Sequence, residues 1–128
     1  MKDFNSRNKI KKELHNERRQ VFVNEREVRF AHLGVNIGFE EDGKGESFVR
    51  PVLVLKRLGN LFFIVPLTTK GKDSRFYHKL PGNYFHQTSR IILSQVRAID
   101  RNRFARKIQT IDEDDFLIIK EKLKAFLL

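Results

Sequence analysis

Short runs of β-branched and aromatic residues, each the length of a strand, occupy the middle of the chain. Val28 to Leu33, Pro51 to Leu55, Leu61 to Val65 and Ile91 to Leu93 are such runs, with turn-forming residues between them. Gly59-Asn60 predicts a hairpin joining the second run to the third, and Leu80-Pro81-Gly82-Asn83 marks a further turn. Strands this closely spaced, with no long helix among them, predict a mainly β fold: a small antiparallel barrel. Pro51 cannot donate to a strand ladder, so it belongs at a strand start or edge, which puts Arg50 at a loop–strand junction. Residues 34–48 are polar and contain Gly34, Gly38, Gly43 and Gly45. A loop of that length in so small a chain points to function or motion.

The two ends have a helical texture. Between Asn5 and Gln20 the apolar positions are Ile10 and Leu14, spaced i, i+4, on a background rich in Lys and Arg. This predicts an N-terminal helix with Asn5 or Ser6 as its N-cap and a thin apolar stripe, its charged face in water. At the other end, Asp112-Glu113-Asp114-Asp115 precedes Phe116, Ile119, Leu123, Phe126 and Leu127. Asp112 is the expected N-cap, the acidic first turn complements the helix dipole, and the apolar spacing predicts a helix covering the barrel. The expected organisation is a basic helical extension over residues 1–24 followed by one barrel domain over 25–128.

Charge narrows the class of partner. Twenty-six Lys and Arg against sixteen Asp and Glu give a formal net charge of +10. That excess points to a polyanion, first of all nucleic acid, because Lys and Arg on phosphates release condensed counterions. Cysteine is absent, which excludes disulfides, thiolate nucleophiles and thiolate metal sites. His15, His32, His78 and His86 form no metal-ligand spacing, so neither a metal site nor a cofactor is expected. The longest apolar run, Leu61 to Leu67, is too short to cross a bilayer and contains Pro66. The first residues lack the pattern of a secretory signal, so no membrane association and a cytoplasmic location are expected.

Two basic-aromatic stretches, Arg75-Phe76-Tyr77-His78-Lys79 and Asn83-Tyr84-Phe85-His86, have the interleaving found in single-strand binders. Strand alternation would equally turn one aromatic set into the core.

Two longer segments carry a family resemblance. The first runs from Glu27-Val28 through Gly38-Phe39-Glu40-Glu41-Asp42-Gly43-Lys44-Gly45 to Val49-Arg50-Pro51-Val52-Leu53-Val54-Leu55, and on to Val65-Pro66-Leu67-Thr68-Thr69. The second is Ser89-Arg90-Ile91-Ile92-Leu93-Ser94-Gln95-Val96-Arg97-Ala98-Ile99-Asp100-Arg101-Asn102-Arg103-Phe104. In order and spacing they resemble the MazF/PemK toxin endoribonucleases of bacterial toxin–antitoxin pairs. The resemblance implies an SH3-like, CcdB-like barrel that forms a homodimer. It also implies cleavage of single-stranded RNA without a metal ion, and neutralisation by a cognate acidic antitoxin protein.

The same resemblance places the catalytic pair on Arg50 and Thr68. Glu40, Glu41, Lys44, Thr69, Lys70, Gln95 and Arg97 are the expected RNA contacts. These residue types suit the chemistry: attack by a ribose 2′-OH on its phosphodiester builds charge on the non-bridging oxygens, which a guanidinium clamps and a hydroxyl hydrogen-bonds. A guanidinium is a poor general base, so the proton acceptor stays open among Glu40, Glu41, His32 and His86. Phe39 stands where the family loop commonly has Ser, and it would either stack on a base or pack at a subunit interface. Two other classes compete on the same scaffold: a non-catalytic toxin aimed at a protein, similar to the gyrase poison CcdB, and a degenerate member that binds RNA or antitoxin without cutting.

Overall fold

The architecture follows from strands that are apolar on both faces. The structure is a computed structural model, and it describes residues 22–34 and 49–128. Its strands are β1 (Glu27–His32), β2 (Val49–Leu58), β3 (Leu61–Thr68), β4 (Tyr77–Lys79), β5 (Arg90–Ile92), β6 (Arg97–Asp100) and β7 (Phe104–Thr110). A helix, α1 (Glu113–Leu127), closes the chain, and 3-10 turns at Leu93–Gln95 and Arg101–Arg103 flank β6. Every pairing is antiparallel, in the order β4-β5-β3-β2-β1-β7, with β6 on the other half of β3. The expected β2–β3 hairpin is present, and Gly59 takes the positive φ of 65° that a tight turn between twisted strands requires.

Alternation along β2 and β3 sorts their side chains into two cores. Val52 and Val54 with Phe62 and Ile64 join Val23, Ala31, Ile99 and Phe104 in one, where the Phe62 and Phe104 rings meet edge to face at 5.1 Å. Leu53 with Val65 and Leu67 faces the other way, onto Val28, Ile91, Leu93 and Ile111. Phe116, Ile119 and Leu123 of α1 roof that second core. Near-continuous apolar runs such as Leu61 to Leu67 are therefore what a sheet buried on both faces demands.

Several expectations change. Pro51 lies near the start of β2, as expected, but β2 is an interior strand of the sheet. Asp112 occupies the N-cap position, yet its side chain makes no capping hydrogen bond; its backbone N–H instead donates to the Tyr84 hydroxyl at 2.8 Å. Leu127 is exposed rather than packed, because the buried face of α1 is carried by Phe116, Ile119 and Leu123 with Phe126 at its margin. The N-terminal helix expected over residues 5–20 lies outside the described residues, as does the loop over 35–48.

A buried ion pair ties β1 to its neighbours. Arg29 donates to the Glu27 carboxylate at 2.7 Å, to the Ala105 carbonyl at 3.1 Å and to the Phe22 carbonyl at 3.4 Å. Both side chains are almost fully out of water. Burial alone pushes the Glu27 carboxyl up, but hydrogen bonds from Arg29 and Asn24 outweigh it and hold the group below the usual carboxylate range.

Candidate active site

Arg50 and Thr68 come together because β2 and β3 are antiparallel partners. Val52 stands opposite Pro66, so the register continued two residues outward brings Arg50 level with Thr68. On the other edge of β2, Arg50 pairs with Ala31. One guanidinium nitrogen of the partly buried Arg50 donates to the Leu67 carbonyl at 3.3 Å, which aims the side chain toward the end of β3. There the Thr68 hydroxyl oxygen accepts the backbone N–H of Lys70 at 3.0 Å. That bond uses one lone pair and leaves the hydroxyl proton available to an incoming acceptor.

The two residues line an open groove of about 700 Å³. Its apolar floor includes Phe30, Pro51, Leu67, Phe85 and Ile108, and Thr69, Lys70, His86, Gln87 and Ser89 supply further polar groups. Arg50 and Lys70 bring positive charge, and no carboxylate stands among the described residues that line it. A site built this way favours an anion with a flat apolar portion. A second cavity, about 870 Å³, lies between α1 and the Ser74–Tyr77 segment, where Asp114 and Glu121 balance Arg75 and Lys122. It has no comparable preference for an anion.

Four of the expected site residues, Arg50, Thr68, Thr69 and Lys70, thus share the groove. Gln95 and Arg97 do not line it. Arg97 stands opposite Ile64 on the far half of β3, its guanidinium 3.5 Å from the Leu33 carbonyl, and Gln95 is exposed in the preceding 3-10 turn. Glu40, Glu41 and Lys44, with Phe39, fall outside the described residues. His32, at the end of β1, is not part of the groove wall, whereas His86 is.

The wall carrying His86 is held from behind. The Tyr84 hydroxyl donates to Asp115 at 2.6 Å and accepts from the Asp112 N–H, and the Tyr84 carbonyl accepts from the Gln109 amide at 3.2 Å. Burial and the Asp115 carboxylate raise the Tyr84 phenol to about 12, so it remains a donor throughout the physiological range. Phe85, His86 and Gln87 were not readable as one wall from sequence, because contacts with β7 and α1 bring the segment to the groove. The Asn83-Tyr84-Phe85-His86 interleaving was the signal that flagged it. Phe76, from the other interleaved stretch, packs edge to face on Phe126 at 5.7 Å, away from the groove.

Comparison with known proteins sets this geometry in a family. Residues 33–127 match the model for the PemK-like, MazF-like toxins of type II toxin–antitoxin systems. The chain belongs to that family. Among its relatives, the endoribonuclease EndoA of Bacillus subtilis is 30% identical over 116 residues, covering 84% of this chain and 96% of that protein. In structure, a chain of the MazE–MazF crystal structure from Deinococcus radiodurans superposes with a TM-score of 0.66 at 19% identity, over 84% of this chain and 97% of that one. An endoribonuclease solved with its cognate antitoxin from a mycobacterial species gives 0.64 at 13% identity, over 83% and 95%. For this PemK/MazF-family chain these likenesses establish the fold: a mainly antiparallel sheet with a C-terminal helix. No helix among the described residues is long and apolar enough to cross a membrane.

Proposed function

We infer that this PemK/MazF-family toxin is an endoribonuclease that cuts single-stranded RNA, and we propose that Arg50 and Thr68 carry the reaction. The observation that supports the site is their meeting, from adjacent strands, in a groove whose described lining residues include cations and no carboxylate. Arg50 faces the non-bridging oxygens of the scissile phosphate, where a planar guanidinium offers two parallel donors as charge builds. Thr68 supplies a third donor, oriented because its oxygen is fixed by Lys70 N–H. Phe85 and Phe30 give flat apolar surface for a base, and Lys70 a charge for a neighbouring phosphate. The nucleophile is the ribose 2′-OH next to the scissile bond.

The same reading covers assembly. The sheet is read as an SH3-like barrel whose curvature comes from the irregular registers in β1–β7 and β2–β3. The toxin is read as a homodimer neutralised by an acidic antitoxin that occupies the groove, since a basic, aromatic-floored site suits an acidic segment that folds on binding. Gln95 and Arg97 are proposed as RNA contacts beyond the catalytic groove, and Glu40, Glu41 and Lys44 as further RNA contacts.

Purified protein incubated with mixed-sequence RNA in EDTA tests this. Cleavage should persist, DNA should be spared, and the fragments should end in a 2′,3′-cyclic phosphate and a 5′-OH. Intact RNA under these conditions, or fragments with a 3′-OH, would refute it. Adding the antitoxin should displace RNA; simultaneous binding of both would exclude a shared groove.

A further inference from the structure

We propose that His86 is the proton acceptor for the attacking 2′-OH, an inference that rests on the RNA-cleaving reading above. Among the described residues, the titratable side chains lining the groove are Arg50, Lys70 and His86. A guanidinium stays protonated at every accessible pH, and an ammonium has no lone pair until far above neutrality. An imidazole accepts a proton near neutrality, its ordinary pKa being about 6.5. His86 is therefore the group in this wall with the chemistry that the catalytic pair lacks.

Placement supports the role. His86 is exposed and lines the same groove as Arg50 and Thr68, and none of the hydrogen bonds or ion pairs among the described residues uses its imidazole. The exposed ring stands on a braced backbone. Two residues earlier, Tyr84 is fastened through its hydroxyl to Asp115 and the Asp112 N–H, and through its carbonyl to Gln109. Ser89, three residues later, is buried, and its hydroxyl donates to the Gln87 carbonyl at 3.3 Å. A backbone fastened on both sides of His86 leaves only the side chain to be ordered when RNA arrives. The charged groups around it are Arg50 from β2 and Lys70 beyond β3 in the groove, with Asp112 and Asp115 of the α1 start acting on the far end of the segment through Tyr84.

The step balances without a metal or redox partner. The 2′-oxygen forms a bond to phosphorus as its proton passes to the imidazole, while Arg50 and Thr68 hold the equatorial oxygens. The bond from phosphorus to the 5′-oxygen breaks, that oxygen takes a proton from water, and the imidazolium returns its proton to solvent.

The test compares wild type with His86→Gln across pH, using a cleavable RNA for rate and the same RNA with a 2′-deoxy residue at the scissile position for affinity. For wild type, the rate should rise with pH along a limb in the range where imidazoles titrate. His86→Gln should lose at least ~100-fold in rate and lose that limb, with affinity for the 2′-deoxy probe within about twofold of wild type. His86→Ala should regain activity when imidazole is added. A limb that persists in His86→Gln, or a loss matched by an equal loss of affinity, would overturn the proposal. Failure of wild type itself to cut RNA would instead overturn the reading on which it rests.

Discussion

Arg29 and Arg50 stand on neighbouring strands of one sheet and serve opposite ends. Arg29 is buried, and its guanidinium is engaged by Glu27, Ala105 and Phe22, so its charge is neutralised within the fold. Arg50 sits on the wall of an open groove beside Thr68 and Lys70, where its charge raises the local potential for an anion. The difference lies in what surrounds each residue: a carboxylate inside a closed layer in one case, and in the other a lining open to solvent with no carboxylate among the described residues. Substitutions at the two positions should accordingly separate stability from activity.

The largest effect should come from breaking the buried pair on one side. Arg29→Ala leaves the buried Glu27 carboxylate with only Asn24 and the half-exposed Lys107, 3.9 Å away, and should cost about 3 kcal/mol of stability, read by urea unfolding. Replacing both, Glu27→Leu with Arg29→Met, should cost much less than the sum of the single changes, because neither charge is then stranded. If Arg29→Ala unfolded no more easily than wild type, the contrast between the two arginines would fail.

Next in size, Thr68→Ala should lower the cleavage rate by about tenfold or more, roughly 1.4 kcal/mol, with an unchanged unfolding midpoint. Thr68→Ser should retain most of the rate, since it keeps the hydroxyl that accepts from Lys70 and that is proposed to bind the phosphate.

A smaller effect should appear on acidification. Because the folded Glu27 carboxyl titrates below its unfolded value, its contribution to stability is present above the usual carboxylate range and is lost as pH falls through the lowered folded value. Unfolding midpoints measured on the acid side should therefore drop with falling pH in wild type and drop less in the double variant. Equal slopes would show that the pair contributes nothing to acid lability.

Much of this fold was legible in the sequence because burial on both faces writes itself as unbroken β-branched and aromatic runs. β2 and β3 announce themselves in that way, their hairpin through Gly59-Asn60, and α1 through its acidic start and helical apolar spacing. β7 does not: Phe104-Ala105-Arg106-Lys107-Ile108-Gln109-Thr110 ends the path of the sheet, so it carries charges that hide its alternation. β4 and β5 are three residues each, too short for a period to show. The Asp112 expectation held for position but not for the bond: it is the N-cap residue, and its side chain makes no capping hydrogen bond. At the site, the motif order singled out Arg50 and Thr68, and the strand register gave them a common groove. Composition could not distinguish Arg50 from Arg29, since that distinction depends on Glu27 lying beside one and not the other. Nor could it bring His86 to the groove, which takes the bonds from Tyr84 to α1 and β7.

The central claim is that the Arg50 groove is where RNA is cut. It is tested most directly by the single-turnover cleavage rate of Arg50→Ala in EDTA, measured beside its thermal unfolding. The account predicts a rate at least ~100-fold below wild type with the unfolding midpoint preserved, and little recovery in Arg50→Lys, because a point charge cannot reproduce the two-pronged guanidinium contact. A well-folded Arg50→Ala protein that cleaves at the wild-type rate would contradict it.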